Sequence, residues 1–307
     1  SGEELDIAAV DAWLKPRIAD LSGEPIVTQY SGGASNWTYR LQYQSHDLIL
    51  RRPPKGTKAK SAHDMGREYK VQAALAPLFP FVPALSAEQT RELCLSVIDK
   101  LVALHQVDYQ SAGLASLGKG DGYCERQVRG WSGRYQKSKT WNVPSFKKVM
   151  AWLADNTPTD VQTCVIHNDF RFDNVVLNPE NPAEVLGILD WEMATLGDPL
   201  MDLGSALAYW VQADDDKILR ATRRQPTHLP GMLSRKEVVS YYCEKMGLNA
   251  DNWAFYEVFG LFRLAVIIQQ IYYRYHHKQT NNPAFKNFWL IVWYLDRRCR
   301  RIIREQR

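Results

Sequence analysis

Two short apolar runs, Val175-Val176-Leu177 and Val185-Leu186-Gly187-Ile188-Leu189, flank the turn-forming stretch Asn178-Pro179-Glu180-Asn181-Pro182. The pattern reads as a hairpin of two largely buried strands. A hairpin returns its second strand to where the first began, so Asp190 must come back beside Asn174. Upstream, the run Val165-Ile166 opens into the loop His167-Asn168-Asp169-Phe170-Arg171-Phe172-Asp173-Asn174. A carboxylate at 169, a carboxamide at 174 and a second carboxylate at 190 therefore gather at one end of a small strand unit. A lone aspartate after a strand is usually a turn former or a helix cap. Three such groups at the same end of two apolar strands ask for a chemical explanation.

Phosphoryl transfer supplies one, because it needs an oriented nucleophile and positive charge on the phosphates rather than covalent help from protein. Asp169 is the candidate base for a substrate hydroxyl. Asn174 and Asp190 are the candidate magnesium ligands, since magnesium takes oxygen donors and shares them with phosphate and water. His167 is read as a backbone brace for the loop ahead of a substrate contact. Arg171 and Glu192 are supporting residues, Glu192 lying on the face of Asp190 if the strand continues. Asp198 reads as the N-cap of the following helix, expected over 203–210, and Asp202 as an internal brace. A metal phosphohydrolase would use the same carboxylates but needs more metal ligands than the chain offers.

The 307 residues suffice for two lobes, and a net charge of +4 does not by itself argue for a nucleic-acid partner. Five scattered cysteines with no C-x-x-C pair argue against a disulfide framework or a zinc site and fit a reducing compartment. The start of the chain is acidic and carries no apolar signal core. The apolar stretch 258–275 contains Arg263 and Arg274 and reads as a buried helix rather than a membrane span. A cytoplasmic protein with no membrane or nucleic-acid partner is expected.

Residues 5–21 carry Leu5, Ala8, Ala9 and Leu14 at helical spacing, and strands are expected at 26–30, 37–43 and 48–51. A helix is expected over 64–78. Ser86 with Gln89 three residues later forms a capping-box signature for a long helix. Beyond it everything except the hairpin is helical in pattern. Strands first and helices later make an α+β protein, with a small antiparallel-sheet lobe over 1–85 and a larger helical lobe over 86–307. The basic run 297–304 and the acidic run 214–216 both read as solvated helix ends.

The motifs His167-x-Asp169-x-x-x-x-Asn174, Ile188-Leu189-Asp190-Trp191-Glu192 and Gly197-Asp198-Pro199-Leu200-x-Asp202 closely resemble those of the aminoglycoside phosphotransferase and choline kinase-like family. The nearest likeness is the branch related to kinase-like domains fused to acyl-CoA dehydrogenases. That branch is expected to read His-Gly-Asp-Phe-Arg-Leu-Asp-Asn, and this chain departs from it at Asn168 and Phe172. The resemblance implies a protein-kinase-like fold, ATP or GTP as phosphoryl donor, and Mg2+. It also implies that Ser31, Gly32, Gly33, Ser35 and Asn36 form the phosphate-covering loop, where glycines let backbone N–H groups approach the anion. Arg51 takes the place of the phosphate-binding lysine, with Glu68 as its helix partner.

In the family two further strands and the adenine-binding hinge separate the segment matching Phe81-Val82-Pro83-Ala84 from the Ser86 helix. About thirty residues of that pattern have no counterpart here. The preferred reading is that the intact protein carries a mobile segment at this point; the other is an abnormal adenine pocket. An intact mass of 35.3 kDa would refute the preferred reading.

The expected product is a phosphorylated small molecule. The basic last third tilts the acceptor from a polycationic aminoglycoside or amino alcohol towards a neutral or anionic metabolite, and the resemblance suggests a hydroxyacyl compound. Tyr209, Trp210 and 263–275 are candidate acceptor-pocket residues. The rival from another class is a non-catalytic nucleotide-binding pseudokinase module.

Overall fold

The structure, a computed structural model, describes residues 5–18, 20–30, 37–44, 46–52, 86–178 and 181–306. The chain divides into two compact units, Ser1–Ala73 and Ala74–Arg307. The boundary expected at 85/86, the helix expected over 64–78 and the apparent gap after Ala84 all lie outside the described residues.

In the first unit, β1 (Ile26–Tyr30), β2 (Trp37–Gln42) and β3 (Asp47–Arg52) form an antiparallel sheet in the order β1-β2-β3. Thr28 faces Arg40, and Thr38 faces Arg51. The leading helix is shorter than its sequence pattern suggests. Helix α1 covers Ile7–Leu14, capped by Asp6 accepting the Ala9 N–H at 3.0 Å. Its packing face is also different: Leu5, Val10, Leu14 and Ile18 lie against buried Leu21, Leu41 and Tyr43, while Ala8 and Ala9 are exposed. Larger side chains remove more apolar area from water, so they set the face of the helix.

The described part of the second unit opens on the expected capping box. Ser86 Oγ accepts the Gln89 N–H at 3.2 Å and Gln89 Oε1 accepts the Ser86 N–H at 2.9 Å, starting α2 (Ala87–His105). Further along are α3 (Tyr123–Ser138), α4 (Lys147–Asp155), α5 (Pro199–Leu207), α6 (Lys217–Ala221), α7 (Arg235–Met246), α8 (Trp253–His276) and α9 (Phe288–Glu305). Helix α8 is long and apolar enough to cross a membrane by length and composition, but its apolar side chains fill the core. It packs against α3, α4, α5 and α9. Its crossing with α5 is close because both helices present glycine. A Cβ on Gly260 would sit 2.1 Å from the Gly204 carbonyl oxygen, and one on Gly204 would sit 2.5 Å from the Tyr256 carbonyl oxygen.

The hairpin forms as its turn chemistry requires, with β5 (Val175–Leu177) antiparallel to β6 (Val185–Ile188) and Val175 opposite Ile188. A second small sheet departs from the all-helical expectation. β4 (Cys164–Ile166) pairs antiparallel with β7 (Thr195–Gly197). A three-residue strand carries too little periodicity to be seen in sequence. The five cysteines are free and buried.

Candidate active site

The loop 167–174 is suspended between β4 and β5, and its shape is set by three anchors from elsewhere in the unit. The first is Asp202, which is fully buried on α5. Its Oδ2 accepts the His167 N–H at 2.9 Å and its Oδ1 accepts the Asn168 N–H at 2.8 Å. His105, from the end of α2, donates Nε2–H to Oδ2 at 3.1 Å. The other His105 nitrogen accepts the Tyr242 hydroxyl. Burial raises the Asp202 carboxyl, but the His105 hydrogen bond, the electrostatic pull of the His105 and His167 rings and the His167 backbone N–H outweigh it, and its pKa lies below the ordinary carboxylate value. The second anchor is Arg263 on α8, whose guanidinium is buried beside Trp131 and donates to the Asn168 carbonyl at 2.8 Å. The third is Gln225, whose Oε1 accepts the Phe172 N–H at 2.9 Å.

Asn168 adopts φ +66°, a left-handed conformation that favours glycine. That conformation accounts for the glycine that the resemblance implies at this position. Asparagine tolerates the conformation better than most residues, and its amide gains two partners. Tyr123 donates its hydroxyl to Oδ1 at 3.1 Å, and Nδ2 donates to the Met193 carbonyl at 3.0 Å.

His167 is fully buried and braces the loop from inside. The Leu189 carbonyl is an acceptor, so Nε2 must carry the proton in that 2.9 Å bond; Nδ1 is then free to accept the Asp169 N–H at 3.2 Å. Asn174 is held by a similar logic. Its Nδ2 donates to the Asp169 carbonyl at 2.8 Å, which turns Oδ1 the other way. The Leu189 N–H donates to the Asn174 carbonyl at 2.7 Å, so the hairpin register places Asp190 next to Asn174. Asp190 itself has φ +64°, and the chain then enters a 3-10 turn over Trp191–Met193. That corrects one expectation: the strand does not continue, so Glu192 does not share a strand face with Asp190.

Arg171, expected as a supporting residue, grips Asp169 directly. Its Nε lies 3.1 Å from Asp169 Oδ1 and its Nη2 donates to Oδ2 at 3.1 Å, while the guanidinium stacks 5.0 Å above the Tyr209 ring. Burial pulls its pKa down, but Asp169, Tyr209 and Asp173 more than compensate. The donor set suits a hard cation: a carboxamide oxygen and a carboxylate at adjacent hairpin ends.

Ser31, Gly32, Gly33, Ser35, Asn36 and Glu68 lie outside the described residues, and for Arg51 only the backbone, in β3, is described. Asp198 caps α5 through the Met201 N–H at 2.9 Å and also accepts the Val161 N–H at 2.7 Å. Helix α5 starts at Pro199 rather than Leu203. Several pocket candidates belong to the core instead. Trp210 donates to the Leu233 carbonyl, Gln269 to the Ser138 carbonyl, and Tyr272 accepts from Asn142. The end runs are not simply solvated either. Asp215 is buried and holds Arg235 through two 2.7 Å bonds, and Arg298 is buried beside it. His105, Tyr123 and Gln225 had no sequence signal, because each reaches the loop from at least 45 residues away. Neither the hollow of about 1300 Å3 beside α3 and α4 nor the one of about 470 Å3 bounded by α5, α7 and α8 is lined by Asp169, Asn174 or Asp190.

A three-stranded antiparallel unit, a helical unit and an Asp-Asn-Asp loop define a kinase-like α+β protein. The same architecture is found in a protein from Ralstonia eutropha assigned as an aminoglycoside phosphotransferase, with a TM-score of 0.71, 24% identity, and 96% of this chain and 99% of that one covered. Choline kinase from Cryptosporidium parvum shares it with a TM-score of 0.63 at 11% identity, covering 98% and 97%. The model of the phosphotransferase enzyme family matches residues 26–87 and 75–238. The chain belongs to that family of small-molecule phosphotransferases. Acyl-CoA dehydrogenase family member 11 of Rattus norvegicus is 32% identical over 327 residues, covering 93% of this chain and 41% of that protein. The chain thus spans about two fifths of that relative's length. Since 93% of 307 residues is about 285, the relative also has aligned positions with no counterpart here.

Proposed function

We propose that this chain transfers the γ-phosphoryl group of ATP, with magnesium, to a hydroxyl of a small molecule. The observation that carries the reading is the placement of Asp169, Asn174 and Asp190 at one end of the β5–β6 hairpin, on a loop fixed by buried anchors. Asp169 would hydrogen-bond the acceptor hydroxyl and take its proton as oxygen bonds to phosphorus and ADP departs. Asn174 Oδ1 and the Asp190 carboxylate would hold magnesium, which when bound neutralises charge on the phosphates. In the first unit, Ser31, Gly32, Gly33, Ser35 and Asn36, with Arg51 and Glu68, are proposed to bind the nucleotide phosphates.

The acceptor we favour is a hydroxyacyl compound. Its support is the likeness to acyl-CoA dehydrogenase family members and the fate of the acidic run 214–216. A polycationic aminoglycoside or amino alcohol wants free carboxylates. Here Asp215 is spent on Arg235, Asp216 caps α6 and accepts the Tyr294 hydroxyl, and Asp214 accepts from Gln212. A second reading, a non-catalytic nucleotide-binding module, is favoured by the two-point grip of Arg171 on Asp169.

The test is magnesium-dependent ATP consumption across a panel of hydroxyacyl compounds, sugars and amino alcohols, with Asp169→Ala as control. Turnover with hydroxyacyl compounds that disappears in Asp169→Ala is the expected result. Turnover only with sugars or amino alcohols would replace the acceptor. Nucleotide binding without turnover on any acceptor would establish the module.

A further inference from the structure

Away from the loop, a hollow of about 470 Å3 lies among α5, α7 and α8 and is reached by Arg298 of α9. The volume is in the range of small-molecule sites. Its back wall is apolar, with Leu207, Trp210 and Trp253, while Arg235, Lys236 and Arg298 supply positive charge. One buried carboxylate, Asp215, serves two of these cations: it holds Arg235 through two 2.7 Å bonds and lies 3.5 Å from Arg298. Glu257 is the acidic group on the wall. Three cations against two carboxylates leave one positive charge in excess. Of the two guanidiniums, Arg298 is the more weakly engaged. Its side chain is only 7% exposed, its bonds to Asp215 and Tyr294 are long at 3.5 Å, and its Nε finds no acceptor among the described residues.

A buried guanidinium with an unused donor, lining a cavity with aromatic walls, is an incomplete arrangement, because buried polar groups are costly unless bonded. We propose that this hollow is a second ligand site for an anionic amphiphile, a carboxylate or phosphate carried on a short apolar body. The anion would meet the Arg298 guanidinium at the wall and Lys236 at the exposed rim. The apolar body would lie on Trp210 and Trp253. The site is independent of the phosphotransferase reading, yet it touches the same machinery. Trp210 packs at 5.6 Å against Phe172, whose N–H is fixed by Gln225 in the candidate catalytic loop.

Octyl phosphate, octanol and inorganic phosphate, titrated into the full chain by calorimetry and tryptophan fluorescence, test the assignment. Octyl phosphate is expected to bind and to quench fluorescence. Octanol and inorganic phosphate are each expected to bind at least about tenfold more weakly, since each lacks half of the ligand. Arg298→Met should weaken octyl phosphate about tenfold or more. Lys236→Glu, at an exposed position that leaves the fold alone, should weaken it by several-fold and keep the proposal testable if the Arg298 variant does not fold. No binding of octyl phosphate, equal binding of octanol or inorganic phosphate, or indifference to Lys236→Glu would overturn the site.

Discussion

Asp202→Asn isolates the part of the structure that gives the candidate catalytic loop its shape. The substitution keeps the volume of the side chain and removes its charge. Oδ2 accepts the His167 N–H and the His105 Nε2–H, and Oδ1 accepts the Asn168 N–H. Either carboxamide orientation therefore turns an NH2 group towards a backbone N–H. One buried donor is left unsatisfied, at about 1–3 kcal/mol, and two charge-assisted bonds become ordinary ones at about 1 kcal/mol each. The expected loss is about 3–5 kcal/mol at neutral pH, from that same accounting. Urea unfolding followed by tryptophan fluorescence reads it as a lower midpoint at unchanged slope.

The pH dependence supplies a second reading of the same substitution. Because the Asp202 pKa is lower in the fold than in the unfolded chain, its stabilisation is present above the unfolded value of about 4 and is lost as pH falls through the folded value. The gap between wild type and variant should thus be widest near pH 7 and close in acid. A loss below about 1 kcal/mol, the size of one ordinary net hydrogen bond, or a gap that does not close in acid, would refute this account.

Three further outcomes are expected. Asn168→Gly keeps the left-handed backbone and loses two side-chain bonds, whereas Asn168→Ala also pays the conformational cost, so the alanine variant should unfold with about 1–2 kcal/mol less stability than the glycine one. Gly260→Ala drives a Cβ into the Gly204 carbonyl, and calorimetry should show a loss of about 1–3 kcal/mol or failure to fold. Burial pushes the Asp198 carboxyl up to about 6. A raised folded value favours the fold below about pH 4, and that contribution is lost as pH rises through about 6. The stability of wild type relative to Asp198→Asn should therefore fall between pH 4 and pH 6.5.

Much of the local structure was legible because its causes are local. Ser86 and Gln89 lie three residues apart and cap each other; Val175–Leu177 and Val185–Ile188 are joined by residues that favour a turn. Asp198 and Asp202 could be given their supporting roles from position alone, and the Asn174–Asp190 juxtaposition follows from hairpin register. Motif spacing pointed to the family. Other parts were misread where short-range pattern competes with packing. Ala8 and Ala9 share a helical period with Leu5 but bury too little area to decide the face. The strand after Ile188 stops because Asp190 turns into a left-handed conformation, which displaced Glu192 from its expected face.

Order along the chain fixes which groups the hairpin gathers: the carboxylates of Asp169 and Asp190 and the carboxamide of Asn174. Tertiary structure decided how those groups are held. Asn168 is shaped by Tyr123 and Arg263, Phe172 by Gln225, and Asp202 is joined by His105 across 97 residues of chain. It also decided that Asp215 and Arg298 are buried rather than solvated. The physical reason is that a hydrogen bond or ion pair depends on distance and burial, whereas periodicity and capping patterns report only neighbours along the chain. Contacts made by packing distant helices together leave no regular spacing to read.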